Sequence, residues 1–135
     1  MEWSFDAADV EAAARTRAAF RALLRDAASS ESDLDAADVI YGELVGNAVR
    51  HAGGQIDISL VWLEHGVALR VRDHGTGFWH AGISAPSADS ESGRGLFLAS
   101  KLTNDFLHVA RCATGGAELT VVLPVWQRME AVQGR

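Results

Sequence analysis

The sequence predicts an α+β fold, a two-layer α/β sandwich with three helices on one face of a mostly antiparallel, mixed sheet. Three observations carry this. Helical periodicity fills two long segments early in the chain, and period-two alternation marks two pairs of strands after them. The resulting order is strand, helix, helix, strand, strand, loop, helix, strand, strand, which a single helix layer on a single sheet accommodates. At 135 residues the chain has the length of one domain and can bury one sizeable core without disulfides or metal. That core is expected over about 3–124, with 125–135 as a C-terminal tail.

Trp3-Ser4-Phe5 alternates apolar and polar and reads as a short edge strand, before a helix for which Asp6 and Asp9 are the N-cap candidates. Val10 to about Ala28 is rich in Ala and Arg and free of Gly and Pro, a helix-forming composition. Phe20, Leu23, Leu24 and Ala27 share one face of it, and Arg17, Arg21 and Arg25 recur at four-residue spacing alongside. Such a stripe is either a solvated helix face or a docking strip for an acidic partner. After a short connection, Ser32 or Asp33 can cap a second helix running to about Ala52, where Gly53-Gly54 supplies a left-handed end. Ala37, Ile40, Tyr41, Leu44, Val45, Ala48 and Val49 form its core stripe.

Two strands follow. Ile56, Ile58, Leu60 and Trp62 alternate along the first, Glu64-His65-Gly66 turns the chain, and Val67, Leu69 and Val71 alternate along the second. Asp73 continues that phase, so the pleat aims a carboxylate toward the apolar side, where an unpartnered charge costs several kcal/mol. It is satisfied by a neighbouring donor or it serves a ligand. His74-Gly75-Thr76-Gly77-Phe78 and the aperiodic, Ser-, Ala-, Gly- and Asp-rich stretch to Ser92 read as a flexible lid. Trp79, just past the glycines, is placed to anchor that lid by packing. Gly93-Arg94-Gly95 opens a third helix, Leu96 to about Leu102. Phe106–Ala113 and Ala117–Leu123 pair through Thr114-Gly115-Gly116, Pro124 ends the last strand, and the tail reads as a short helical or frayed end.

Composition narrows the function classes. A net charge of -6 disfavours a general nucleic-acid surface, which needs clustered Lys and Arg. The acidic N-terminus carries no apolar signal segment, and no run approaches the ~18 apolar residues of a membrane span. The lone cysteine, Cys112, suits a reducing cytosol, so a cytoplasmic protein is expected. A phosphate-binding Gly-x-x-x-x-Gly-Lys-Ser/Thr loop, the dinucleotide Gly-x-Gly-x-x-Gly fingerprint and a Gly-x-Ser-x-Gly elbow are all missing from the sequence, and its five histidines lack metal-ligand spacing.

Three motifs in fixed order remain. Glu43, Asn47 and His51 stand at four-residue intervals on the second helix and so line one stripe of it, beside the apolar Leu44, Val45, Ala48 and Val49. Asp73-x-Gly75-x-Gly77-Phe78 follows a strand, and Gly93-Arg94-Gly95-Leu96 opens a helix. In this order they resemble the Bergerat-type ATP-binding fold of the GHKL superfamily, shared by type II topoisomerases, sensor histidine kinases, a mismatch-repair ATPase and a heat-shock chaperone. Within it the short chain most resembles the anti-sigma factor serine kinases, over almost its whole length, from Trp3 to Pro124.

The resemblance implies ATP and Mg²⁺ as cofactors and assigns roles. Asp73 accepts a hydrogen bond from the adenine amino group, and Gly75 and Gly77 let backbone pass close to the purine, with Phe78 beside them. Asn47 offers an amide oxygen to Mg²⁺. Gly93, Arg94, Gly95 and Leu96 form the phosphate-facing helix start, where backbone N–H groups and the helix dipole favour anions. Glu43 orients or deprotonates the attacking group. Each has a plainer alternative: a solvated helix carboxylate for Glu43, a structural hydrogen bond for Asn47, and stacking or capping near Gly53-Gly54 for His51. Arg50 and Arg94 are either phosphate contacts or surface residues.

The function implied is that of an ATP-dependent serine kinase that sequesters a sigma factor and phosphorylates an antagonist protein, the anti-anti-sigma factor. Homodimers are common in that family. A second reading is a nucleotide-gated binding module without kinase activity, suggested by the short lid between Phe78 and Gly93 and the absence of lysine before Gly93. A third, a sensor histidine kinase catalytic fragment, meets the difficulty that little chain precedes Glu43 for a phospho-accepting helical hairpin and that no histidine lies before His51. Topoisomerase- and chaperone-type members need a transducer domain after the ATP domain.

Overall fold

The alternating strands and periodic helices assemble as two layers in the computed structural model, which describes residues 1–51, 53–64, 66–74, 107–111 and 116–129. Strand β1 (Glu2–Asp6) leads into helices α1 (Val10–Ala27) and α2 (Leu34–His51). Strands β2 (Gln55–Leu63) and β3 (Gly66–Asp73) follow, then β4 (Leu107–Arg111) and β5 (Ala117–Leu123). Among the described residues the sheet has five strands in the order β1-β2-β3-β5-β4, joined by four antiparallel ladders. Because β5 lies between β3 and β4, the chain after β3 reaches the far edge before it returns to the middle. The predicted lid and third helix lie outside the described residues.

Register puts the apolar phase of every central strand on one face. Ile58 faces Val71 and Val71 faces Leu119; Leu60 faces Leu69 and Leu69 faces Val121. These residues, with Phe20, Leu24, Ile40, Tyr41 and Leu44 of the helices, form one buried core. A buried Leu or Ile of this kind contributes roughly 1.5–3 kcal/mol through its removal from water. α1 packs on β1, and α2 packs across β3 and β5.

Local chemistry sets the helix ends. Between the two cap candidates, Asp9 caps α1, accepting the Ala12 N–H at 3.0 Å, while Asp6 accepts the Ala8 N–H in the turn before it. Asp33 caps α2 through the Ala36 N–H, also at 3.0 Å. Ser32 is used differently: its hydroxyl accepts the Trp126 N–H and donates to the Trp126 carbonyl. Gly53 and Gly54 end α2 with φ of 68° and 67°, the left-handed values that a Cβ disfavours.

The segment after Pro124 departs from the expected helical or frayed tail. Val125 is fully buried, the Trp126 carbonyl accepts the Ser29 N–H, and the Arg128 N–H donates to the Ala27 carbonyl. The α1–α2 connection would otherwise leave these backbone groups without partners. The core therefore continues past 124, and the chain through Arg128 stitches both helices to the last strand.

The arginine stripe of α1 is largely spoken for within the fold. Arg21 donates to both carboxylate oxygens of Asp38 on α2, at 2.8 and 2.9 Å, and Arg17 donates to Asp38 Oδ1 and to its backbone carbonyl. The Arg17 guanidinium also lies over the Tyr41 ring, 5.7 Å from its centroid, and Tyr41 stacks on Phe20. Burial pushes the Tyr41 phenol well above its ordinary range. Arg25 is exposed at the last turn of α1.

The Arg21 hydrogen bonds, with Arg17 adding to them, hold the Asp38 carboxyl at about 2 against an ordinary 3.8. A lowered acid stabilises the fold above its unfolded value and loses that contribution as pH falls through the folded one. Asp38→Asn is therefore expected to destabilise the protein at neutral pH and to approach wild-type stability as pH falls from 3.8 through 2. Since the partners are partly solvated, the neutral-pH loss should be on the order of 1 kcal/mol. Urea unfolding of both proteins across this range checks it.

Candidate functional site

α2 ends beside the end of β3. After Gly53-Gly54 the chain enters β2 at Gln55, and the next residue, Ile56, faces Asp73 across the ladder. The last turns of α2, which carry Asn47 and His51, therefore lie at the same end of the sheet as Asp73. The Gly54 carbonyl also accepts the Ala7 N–H at 2.7 Å, which ties this corner to the start of α1.

Asp73 stands where its alternation predicts, in phase with Val67, Leu69 and Val71, and it is completely buried. Its Oδ2 accepts the Ala117 N–H of β5 at 3.2 Å. One donor of the kind a buried carboxylate requires is thus supplied by backbone. Gly116 makes the approach feasible. It adopts φ of +86°, and a Cβ there would collide with the Asp73 carbonyl and stand 3.1 Å from Oδ1.

Asn47 is likewise buried, at 1% exposure, in the face that α2 turns to the sheet. Asp73, Asn47 and Thr16 are the buried polar residues among those described, and Thr16 spends its hydroxyl on the Ala12 carbonyl. The other two, Asp73 and Asn47, both belong to the predicted motifs. Glu43, one turn before Asn47, is half-buried. Gly42, adjacent to it, leaves room for the Arg17 guanidinium, so the α1–α2 clasp sets the rotation of α2 immediately beside the motif. His51 is the final residue of α2. Arg50 is exposed, with its guanidinium near Gly46.

On the opposite face of the sheet the residue after Asp73 is engaged too. His74 donates from Nε2 to Asp57 Oδ2 at 2.5 Å, while Ser4 and Gln55 donate to Asp57 Oδ1 at 2.7 and 2.8 Å. Partial burial works against the Asp57 charge, but the hydrogen bonds from Gln55, His74 and Ser4 outweigh it and hold the carboxyl below its usual range.

Asn47 and Asp73 are thus both buried where α2 packs on β3, Glu43 lies one turn before Asn47, and α2 ends at His51. Gly75, Gly77, Phe78, Trp79, Gly93, Arg94, Gly95 and Leu96 lie outside the described residues. Arg17, Arg21 and Arg25 lie on α1. Sequence reasoning missed Gly116 and Ala117, which it assigned to a hairpin, and the Asp57–His74 pair. No local pattern marks either, because β5 meets β3 through a contact 44 residues distant and Asp57 meets His74 across a turn.

A family model described as a histidine kinase-like ATPase domain matches residues 7–123. The chain is also similar to the signal transduction histidine-protein kinase AfsQ2 of Streptomyces coelicolor (strain ATCC BAA-471 / A3(2) / M145), at 33% identity over 104 residues. That alignment covers 64% of this chain and 19% of the relative, so the chain spans about a fifth of that kinase's length. Among the described residues no helix is long and apolar enough to cross a membrane.

Proposed function

This chain belongs to the histidine kinase-like ATPase domain family, and on that premise we propose that it is an ATP-binding anti-sigma-type serine kinase acting on a protein antagonist. The observation that carries the nucleotide site is the burial of Asp73 and Asn47 in the layer between α2 and β3, within an otherwise apolar core. A few polar side chains gathered within an apolar layer are the groups that orient a bound polar ligand.

The donor set fits. Asp73 is an acceptor for an exocyclic amino group, with one of its oxygens already held by the Ala117 N–H. Asn47 carries an amide oxygen, which would serve as one oxygen ligand of a Mg²⁺ that bridges phosphates. ATP, when bound, supplies the transferable phosphoryl group. Glu43, one turn before Asn47 on the same helix, would accept the proton of an attacking hydroxyl, while the clasp of Arg17 and Arg21 on Asp38 ties α2 to α1. The partners proposed are a sigma factor and its antagonist, with the chain acting as a homodimer in the cytoplasm. Phosphorylating the antagonist would place a charge of about -1.5 to -2 on its surface and release it.

The similarity to AfsQ2 favours a second reading, in which the chain is the ATP-binding part of a histidine kinase and its acceptor is an imidazole. The two differ in the bond formed. With γ-labelled ATP and Mg²⁺, the first reading expects acid-stable phosphoserine on a co-incubated antagonist, and the second expects acid-labile label on a supplied histidine-bearing hairpin. Glu43→Ala should lower transfer at least about a hundredfold and leave ATP affinity within about twofold of wild type. Equal loss of binding and transfer would instead make Glu43 a structural residue.

A further inference from the structure

We propose that His74 and Asp57 are positioning residues that hold Asp73 in the orientation needed to select adenine over a 6-oxo purine, a role that rests on the nucleotide reading above. The backbone ladders run out at this point. The β3–β5 register ends with Arg72 facing Glu118, and the β2–β3 register ends with Asp73 facing Ile56. Among the described residues, the side chain of the next residue, His74, also ties down the strand end. His74 reaches diagonally over β2 to Asp57, which faces Arg72 in the register.

Asp57 is itself immobilised. Ser4 of β1 and Gln55 of β2 both donate to Oδ1, and His74 occupies Oδ2, so the network spans three strands on the face away from the helices. The two sides of the sheet then act on one backbone. Ala117 grips the Asp73 carboxylate from within, and the His74–Asp57 bond fixes the next Cα from outside. Losing the outer hold lets the strand end shift, and selective recognition tolerates displacements of only about 0.5 Å.

His74 is partly exposed and lies outside the apolar core, so its loss should spare folding. The expected consequence is a loss of selectivity more than of total affinity. A 6-oxo purine presents an acceptor where adenine presents a donor, and it meets Asp73 with repulsion.

Calorimetry with ATP and with inosine triphosphate, each with Mg²⁺, tests this on the full chain. Wild type should prefer ATP by at least about tenfold. His74→Ala and Asp57→Ala should each reduce that preference by about fivefold, mainly by weakening ATP. His74→Gln, which keeps a donor within reach of Asp57, should restore most of it. An unchanged preference in His74→Ala, or equal weakening of both nucleotides without rescue by glutamine, overturns the positioning role and leaves the nucleotide site standing. A wild-type protein that binds neither nucleotide, or binds both equally, overturns the site and this role together.

Discussion

Asp73→Asn is expected to weaken ATP binding at least about tenfold, a loss of about 1.4 kcal/mol, while leaving a folded protein. The substitution keeps shape and volume. It replaces an acceptor with two oxygens by an amide with one oxygen and an NH₂ group. The Ala117 N–H, which donates to Oδ2 from inside the sheet, claims the remaining oxygen. The amide NH₂ then faces the adenine amino group, donor against donor, and a mispaired buried donor costs about 1–3 kcal/mol. Calorimetric titration with ATP, alongside a thermal melt to establish the fold, reads this directly. Undiminished affinity in a folded variant would remove Asp73 from the site.

The largest effect on stability among the site's supports is expected at Gly116. Gly116→Ala should lower stability by on the order of 3 kcal/mol, combining a left-handed φ of +86° with a collision between the new methyl and the Asp73 carbonyl. The opposing atom is backbone in a central strand, so relief requires β3 and β5 to separate where Ala117 meets Asp73. Nucleotide affinity should fall with stability for that reason. Gly53→Ala is the control: its φ of 68° is equally left-handed, but its methyl would meet nothing within 4 Å. It should cost only about 1–2 kcal/mol. Thermal midpoints of the two variants should therefore differ by several degrees, and similar midpoints would show that the contact with Asp73 is not what requires glycine at 116.

Most of the fold could be read from the chain because its instructions are local. Asp9 and Asp33 precede their helices as caps, Gly53-Gly54 terminates α2, and the alternation from Ile56 to Asp73 names the buried face residue by residue. The antiparallel pairing of β2 with β3 follows from a short turn. Asp73 is visible as a carboxylate in apolar phase and Asn47 as an amide beside the core stripe of α2, and both are buried.

What local pattern could not show is which distant groups meet. Periodicity places Arg17 and Arg21 on a face but is silent about Asp38, which faces them only because α2 packs beside α1. The segment after Pro124 has no period, and its order comes from the backbone groups of Ala27 and Ser29 that it satisfies. The same holds at the site. The identities of Asp73 and Asn47 and the side of the sheet they occupy are written in side-chain phase, a one-dimensional property of each element. The contacts of Asp73 with Ala117 and Gly116, and of His74 with Asp57, depend on strand order and register, which emerge only when separate elements close on a common core.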